Sequence, residues 1–420
     1  MPPLILFGLI AIVLWTLVAR RFTQWGVAGP AVLLVLGAVT VIWDVDAFGI
    51  ALDSPMSEKI VEVILALLLF ADATEVKGGM FGKEGRVIAR LVLIALPLSL
   101  LLAGISAGLL LPGVDLFVIA VIACVAMPTD FSPAAELLRD RRIPVRLRQI
   151  VNVESGYNDG LISPLFGMAL AIAVLSTSQS SDWSDAEFEQ QIAAFLISFF
   201  NAVPATAMAI AVGAALGAGV GTLVRAMRAR GFADAMGARY VMLLLPLVAY
   251  GVATLPALSA NGFVAAFAAG IFYRLTRMRG NGEGQIVHEE FILLEEVGAL
   301  TANFVWFVLG GATVVVIVSG VGWGFLVFAL LALTVVRMAP VYLSLMGSSV
   351  PRRGRVVIGA LGPRGTASVV FGLLAYNALP EEDGLVVLAV MVILVVGSIL
   401  LHGIVGPLLL RRVRETARAE

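Results

Sequence analysis

The stretch CVAMPTDFSPAAELL, residues 124–138, decides how the chain is to be read. It is apolar at both ends, yet Asp130 sits at its centre with Pro128 before it and Pro133 after it. Proline removes a backbone donor and disrupts a helix, so the sequence predicts a span that is unwound near Thr129 and Asp130. Irregular backbone at membrane depth survives only where it is buried in protein or lines a cavity, and such breaks are where membrane proteins bind ions. A carboxylate there can cap the positive N-terminus of the half-helix that follows. A plain proline kink with Asp130 as a local cap is the alternative reading.

Around this segment the chain is too apolar for water. Of its 420 residues 60% are hydrophobic and 14% charged, against about 25% charged in a soluble domain. About 20 apolar residues cross a bilayer core. By that measure the sequence predicts an all-α polytopic membrane protein, a single membrane domain over 1–420. Thirteen spans lie near 4–18, 27–43, 60–76, 88–111, 114–137, 149–176, 190–224, 240–256, 261–275, 288–318, 322–346, 356–379 and 385–410.

The connecting loops alternate in charge. The segments 20–21, 77–90, 139–148, 225–239, 274–279, 352–355 and 411–418 hold 25 of the 28 Lys and Arg residues. The loops between them are acidic or neutral, with Asp44, Asp46 and Asp53, then Asp115, then Asp182, Asp185, Glu187 and Glu189, then Glu381, Glu382 and Asp383. By the positive-inside rule the basic set is cytoplasmic, which puts the N-terminus outside and the C-terminus inside. Arg20 and Arg21 follow the first span and no basic segment precedes it, so that span reads as retained rather than as a cleaved leader. No soluble domain is expected, and the longest polar stretch, 176–191, reads as an external loop.

A net charge of −1 gives no basis for binding nucleic acid. The single Cys124 excludes an internal disulfide and a cysteine metal cluster. Two histidines, His288 and His402, leave little room for histidine catalysis or metal binding, and no resident cofactor is expected.

Three basic residues belong to no basic loop: Lys59, Arg337 and Arg364. Lys59 sits at the outer mouth of a span and can snorkel. Arg337 and Arg364 lie within apolar sequence, where a charge costs about 2.5–3.5 kcal/mol, so each is expected to face protein and to have a partner. The acids within spans, Glu62, Asp72, Asp130, Glu154 and Asp159, are the candidates. In VNVESGYNDGLISP, 151–164, a helix puts Ser155 and Asp159 on one face, and Glu154 and Asn158 on the next. Hard cations take oxygen ligands of these kinds, and a buried carboxylate is also a proton carrier. In IGALGPRGTASVVFG, 358–372, Gly362, Pro363 and Gly365 predict a second break beside Arg364. There the Arg is expected to neutralise the C-terminal end of its own first half-helix. Setting the first span aside leaves six plus six, with the breaks in corresponding positions, as in an inverted six-helix repeat whose breaks cross at the midplane.

Together MPTD (127–130), ESGYND (154–159), RMAP (337–340) and GPRGTAS (362–368) resemble, in order and over most of the chain, the cation/proton antiporter-1 family, the prokaryotic NhaP-type sodium/proton exchangers. The resemblance implies an NhaA-like architecture of thirteen spans and a homodimer, and the protein is expected in the lipid of a prokaryotic cytoplasmic (inner) membrane. It implies that Asp159 alternately binds Na⁺ and a proton, that Ser155, Thr129 and Asp130 add oxygens to the Na⁺ site directly or through water, and that Glu154 pairs with Arg337. Asn158 stands where electrogenic relatives carry a second acid, which implies electroneutral one-for-one exchange. Asp72 is the best candidate for a third-span acid near the site, with Glu75 next; both also read as cytoplasmic-end residues beside Lys77. Members often read Thr-Asp-Pro where this chain has Thr129, Asp130, Phe131, Ser132 and Pro133, which implies a longer break.

The expected activity is secondary active exchange of Na⁺ for H⁺ by alternating access, with Li⁺ as a further cargo. A core bundle at 88–176 and 322–410 would move against a dimerising scaffold at 1–76 and 190–318. K⁺/H⁺ exchange and a cation channel are the competing readings. An intramembrane hydrolase is disfavoured because Ser155 has no His or Lys base close by in sequence.

Overall fold

All regular structure among the described residues is helical. The computed structural model describes residues 3–25, 27–75, 84–131, 143–177, 185–278 and 285–405. In chain order the helices are α1 (Pro3–Gln24), α2 (Gly29–Val41), α3 (Val45–Leu52), α4 (Pro55–Glu75), α5 (Gly85–Leu110), α6 (Leu116–Ala126), α7 (Val145–Thr177) and α8 (Asp185–Ala229). They continue with α9 (Ala235–Ala253), α10 (Gly262–Met278), α11 (Gln285–Ser319), α12 (Trp323–Leu333), α13 (Val335–Ser344), α14 (Arg352–Ala360), α15 (Thr366–Ala378) and α16 (Glu381–Ser398). A π-helical turn, Ile399–Val405, extends α16, and another, Leu91–Ala95, lies within α5.

Seven of these stretches are long and apolar enough to cross a membrane, or eight if α2 and α3, bent by 114° to each other, count as one. The molecule is apolar on the outside: Leu17, Trp43, Leu109 and Trp323 are exposed, while Glu154, Asp159, Arg337 and Arg364 are buried. That distribution suits lipid and not water. Helices α6 and α15 are apolar all round and buried on nearly every face, as expected for the middle of a bundle.

Local sequence explains the helix starts. Asp44, Asp115 and Asp234 each accept a bond from a backbone N–H in the first turn of α3, α6 and α9, the role short acids play at an N-cap. Small residues set the closest crossings. Gly213, Gly217 and Gly221, one turn apart on α8, lie against α10 at Ala265, Ala269 and Thr276. Gly37 of α2 meets Gly310 of α11 in the same way. Without a side chain, two backbones can approach and pack directly.

The sequence reading has thirteen spans, against the seven or eight that qualify among the described residues, and the structure differs from it in two further places. The acidic loop after 43 contains a helix, α3, which Asp44 caps. The stretch 322–346 is divided at Thr334, whose backbone is non-helical, so Arg337 enters on the first turn of a new helix, α13.

Candidate functional site

Helix α6 has 11 residues and α15 has 13, roughly 16 and 20 Å at 1.5 Å per residue, too short to cross a hydrocarbon core of about 30 Å. Each ends at a non-helical stretch, 127–131 after α6 and 361–365 before α15. The two stretches touch: the Asp130 N–H donates to the Pro363 carbonyl at 2.9 Å. Asp130 Oδ2 accepts from the Thr366 N–H at 2.8 Å and from its hydroxyl at 2.6 Å. The Arg364 guanidinium donates to the carbonyls of Met127 at 3.0 Å, Pro128 at 3.1 Å and Ala332 at 3.3 Å.

Each charged residue therefore serves the helix end of the other break. Asp130 caps the positive start of α15, and Arg364 caps the negative end of α6. For Arg364 this differs from the sequence reading, which has it serve the end of its own first half-helix and pair with a carboxylate. Backbone carbonyls take that place, because contact between the breaks brings an uncapped helix end to each charge. Residues 132–142, with Pro133 and the start of the half-helix after Asp130, lie outside the described residues.

The second cluster stands on α7. Glu154 and Arg337 form a doubly bonded pair, at 3.1 and 3.0 Å, both side chains buried. Arg337 also donates to the Leu361 carbonyl of the second break at 3.2 Å. Asn158, one turn beyond Glu154, donates through Nδ2 to Glu154 Oε1 at 2.6 Å and to the Thr129 hydroxyl at 3.0 Å. Ser155 donates to the Thr129 carbonyl. Asp159 is buried against the Thr129 backbone, with Asp72, Asp130 and Glu154 as its acidic neighbours. Its Oδ1, like Asn158 Oδ1, has no hydrogen-bond partner among the described residues. Because Glu154 and Asp159 are both buried, a surface helix start is excluded for this segment.

Asp72 of α4 lies beside Gly156, whose Cβ would come within 3.2 Å of the Asp72 carbonyl. The Glu75 side chain and Lys77 lie outside what the structure describes. Glu62 is engaged by Lys59 at 2.8 Å. A water-sized cavity of about 10 Å³ adjoins the ion pair, lined by Ser99, Met127, Glu154, Asn158 and Arg337 among others.

The structure adds residues that the sequence reading passed over. Thr366 is the first residue of α15 and holds Asp130; a threonine directly after Gly-Pro-Arg-Gly was the available signal. Ser398, which accepts from the Arg364 N–H at 2.7 Å, lies 34 positions away and carried no local signal. Gly362 and Gly365 are helix breakers by sequence, and they are also required by space. A Cβ at 362 would strike the Arg337 guanidinium, and one at 365 the Asp130 carboxylate.

A buried ion pair, a buried carboxylate with an unpartnered oxygen and two capped breaks in contact are the parts of a membrane ion transporter. Residues 8–412 match the family described as sodium/hydrogen exchanger, transmembrane. The chain belongs to this family of transporters. It is 23% identical over 346 residues to the Na(+)/H(+) antiporter of Schizosaccharomyces pombe, covering 78% of this chain and 68% of that one. Its fold is similar to the solved structure of the sodium proton antiporter MjNhaP1 from Methanocaldococcus jannaschii at pH 8, with a TM-score of 0.74 at 18% identity, over 96% of this chain and 95% of that one. An electron-microscopy map of the same antiporter gives 0.64 at 17% identity, over 96% and 94%.

Proposed function

We propose that the protein exchanges one Na⁺, or Li⁺, for one H⁺ at Asp159 by alternating access. The observation that carries this reading is the unpartnered oxygen of a buried Asp159 amid Thr129, Ser155, Asp130 and Asp72. An orphaned carboxylate oxygen is costly in a folded protein, and a proton or a cation relieves it. Both cargoes are monovalent and neutralise the same carboxylate, so the loaded site carries the same charge whichever is bound. That equality makes the exchange electroneutral, and Asn158 in place of a second acid preserves it. Thr129, Ser155 and Asp130 supply the remaining Na⁺ oxygens.

The moving body is the core bundle, 88–176 and 322–410. Its halves are tied by Glu154 to Arg337, Asp130 to Thr366 and Arg364 to Met127, and at the cytoplasmic end by Arg146 to Ser349. The scaffold is 1–76 and 190–318, tied by the glycine crossings of α8 with α10 and of α2 with α11. Asp72 belongs to the scaffold and Asp159 to the core, so the site lies at their seam. Thirteen spans in inverted repeats, the N-terminus outside, a homodimer and a prokaryotic cytoplasmic membrane complete the reading, supported by the loop charges and the family resemblance.

The test is proton movement in proteoliposomes, followed with an internal pH dye after imposing gradients of Na⁺, Li⁺ and K⁺ separately. An Na⁺ gradient is expected to drive protons the opposite way at a rate independent of imposed voltage. Voltage-dependent flux would mean a channel or an electrogenic exchanger, and a response to K⁺ alone would mean K⁺/H⁺ exchange.

A further inference from the structure

We propose that His402 is a positioning residue for the exchange site, acting as a bracket across the second break. This rests on the exchange reading above and adds a residue to it. His402 is buried in the π-helical turn after α16. Its Nε2 lies 3.2 Å from the Ala360 carbonyl, and its Nδ1 lies 3.2 Å from Ser398 Oγ and 3.1 Å from the Ser398 carbonyl. Ala360 is the last residue of α14, and Ser398 Oγ accepts the Arg364 N–H at 2.7 Å. The imidazole and Ser398 thus reach both sides of the break, residues 360 and 364.

Donors and acceptors assign the proton. Both ring nitrogens face a carbonyl, which only accepts. The Ser398 carbonyl lies within helical structure, while the Ala360 carbonyl is at a helix end without an intrahelical partner, so the single ring hydrogen goes to Nε2. Ser398 Oγ already accepts from Arg364, and its own hydrogen has Nδ1 as an acceptor. With one proton on the ring, three groups form one directed chain: Arg364 N–H to Ser398, Ser398 O–H to His402, and His402 Nε2–H to Ala360. That last bond satisfies a carbonyl at the end of α14, where intrahelical partners run out.

The bracket fixes the backbone from which Arg364 reaches the end of α6 and from which Thr366 holds Asp130. His402 touches neither the ion nor Asp159; it acts through the break. The π-turn is in keeping with this role, since such turns are frequent at functional sites.

The experiment has two parts. Protein labelled with ¹⁵N-histidine in liposomes has two imidazoles, and His288→Gln assigns them. The His402 ring is expected as the neutral Nε2–H tautomer at pH 7; an Nδ1–H tautomer or an imidazolium overturns the bracket. This readout does not depend on transport. In the second part, His402→Ala is expected to raise the apparent KM for Na⁺ about three- to tenfold, the worth of a hydrogen bond or so, with less effect on kcat. His402→Gln, which restores a donor at the Nε2 position, is expected to recover most of it. The double variant with Ser398→Ala is expected to be no worse than His402→Ala alone, because both break one chain. Unchanged KM in His402→Ala, or additive losses, overturns the proposal. Wild-type vesicles lacking Na⁺-driven proton movement would count against the exchange reading, with the tautomer still reporting on the bracket.

Discussion

Thr366 holds the Asp130 carboxylate twice, through its N–H at 2.8 Å and its hydroxyl at 2.6 Å, across 236 positions of sequence. One residue both starts α15 and fixes the acid of the other break. Thr366→Val keeps the N–H bond and loses the hydroxyl. A hydrogen bond to a charged group contributes about 1.5–3 kcal/mol. Thermal unfolding in detergent is expected to fall by that order, with exchange slowed.

Asp159→Asn is expected to abolish Na⁺-driven proton movement while the protein remains folded. The unpartnered Oδ1 means that little structure depends on this carboxylate's charge. Dye-monitored flux and a melting curve on the same preparation check both halves. Full activity in this variant would sink the site assignment.

The Glu154 and Arg337 pair gives the opposite pattern. Removing one partner of a buried pair leaves an uncompensated charge and costs about 3–5 kcal/mol. Glu154→Ala is therefore expected to damage folding more than ion binding. Arg337→Ala combined with Glu154→Ala is expected to cost less than the sum of the singles, measured as a double-mutant cycle. A stable, merely slower Glu154→Ala would argue for direct ligation of the ion.

Alanine at Gly365 would press on the Asp130 carboxylate, and at Gly362 on the Arg337 guanidinium. Both are expected to lose about 1–3 kcal/mol of stability, as overpacked sites do, and to lose transport. Gly104 and Gly251 have open space around a built Cβ. Alanine there is expected to be neutral or mildly stabilising, so the four melting temperatures should separate into two groups.

Just before the start of α5, Glu84 accepts from Arg146 at 2.7 and 2.8 Å. The Arg146 hydrogen bonds hold the Glu84 carboxyl below its ordinary value of 4.5. A lowered carboxyl stabilises the fold above that ordinary value, and the contribution is lost as pH falls through the lowered one. The pair is partly exposed, so the effect is small and weakened by salt. Glu84→Gln is expected to reduce the loss in melting temperature between pH 7 and pH 3, most clearly at low ionic strength.

Much of this was legible along the chain. Apolar runs marked the helical membrane fold, Pro128 marked the unwinding before Asp130, and the Gly-Pro-Arg-Gly stretch marked the second break. The i, i+4 spacing foretold that Glu154 and Asn158 meet on α7, which they do at 2.6 Å. These are local signals, because helix period and backbone restriction act over a few residues.

The pairings across the molecule were decided by tertiary structure. Nothing beside Arg364 in sequence indicates that it caps α6 through Met127 and Pro128, and nothing beside Asp130 that it accepts from Thr366. Nor does the sequence around His402 point to Ala360, 42 positions away. A charge in a membrane takes whichever complementary group the fold brings within reach, and two touching breaks bring each other's open helix ends. The sequence by itself determined that the charges are buried and that the helices break. Only the packing of the two breaks decided which charge answers which helix end.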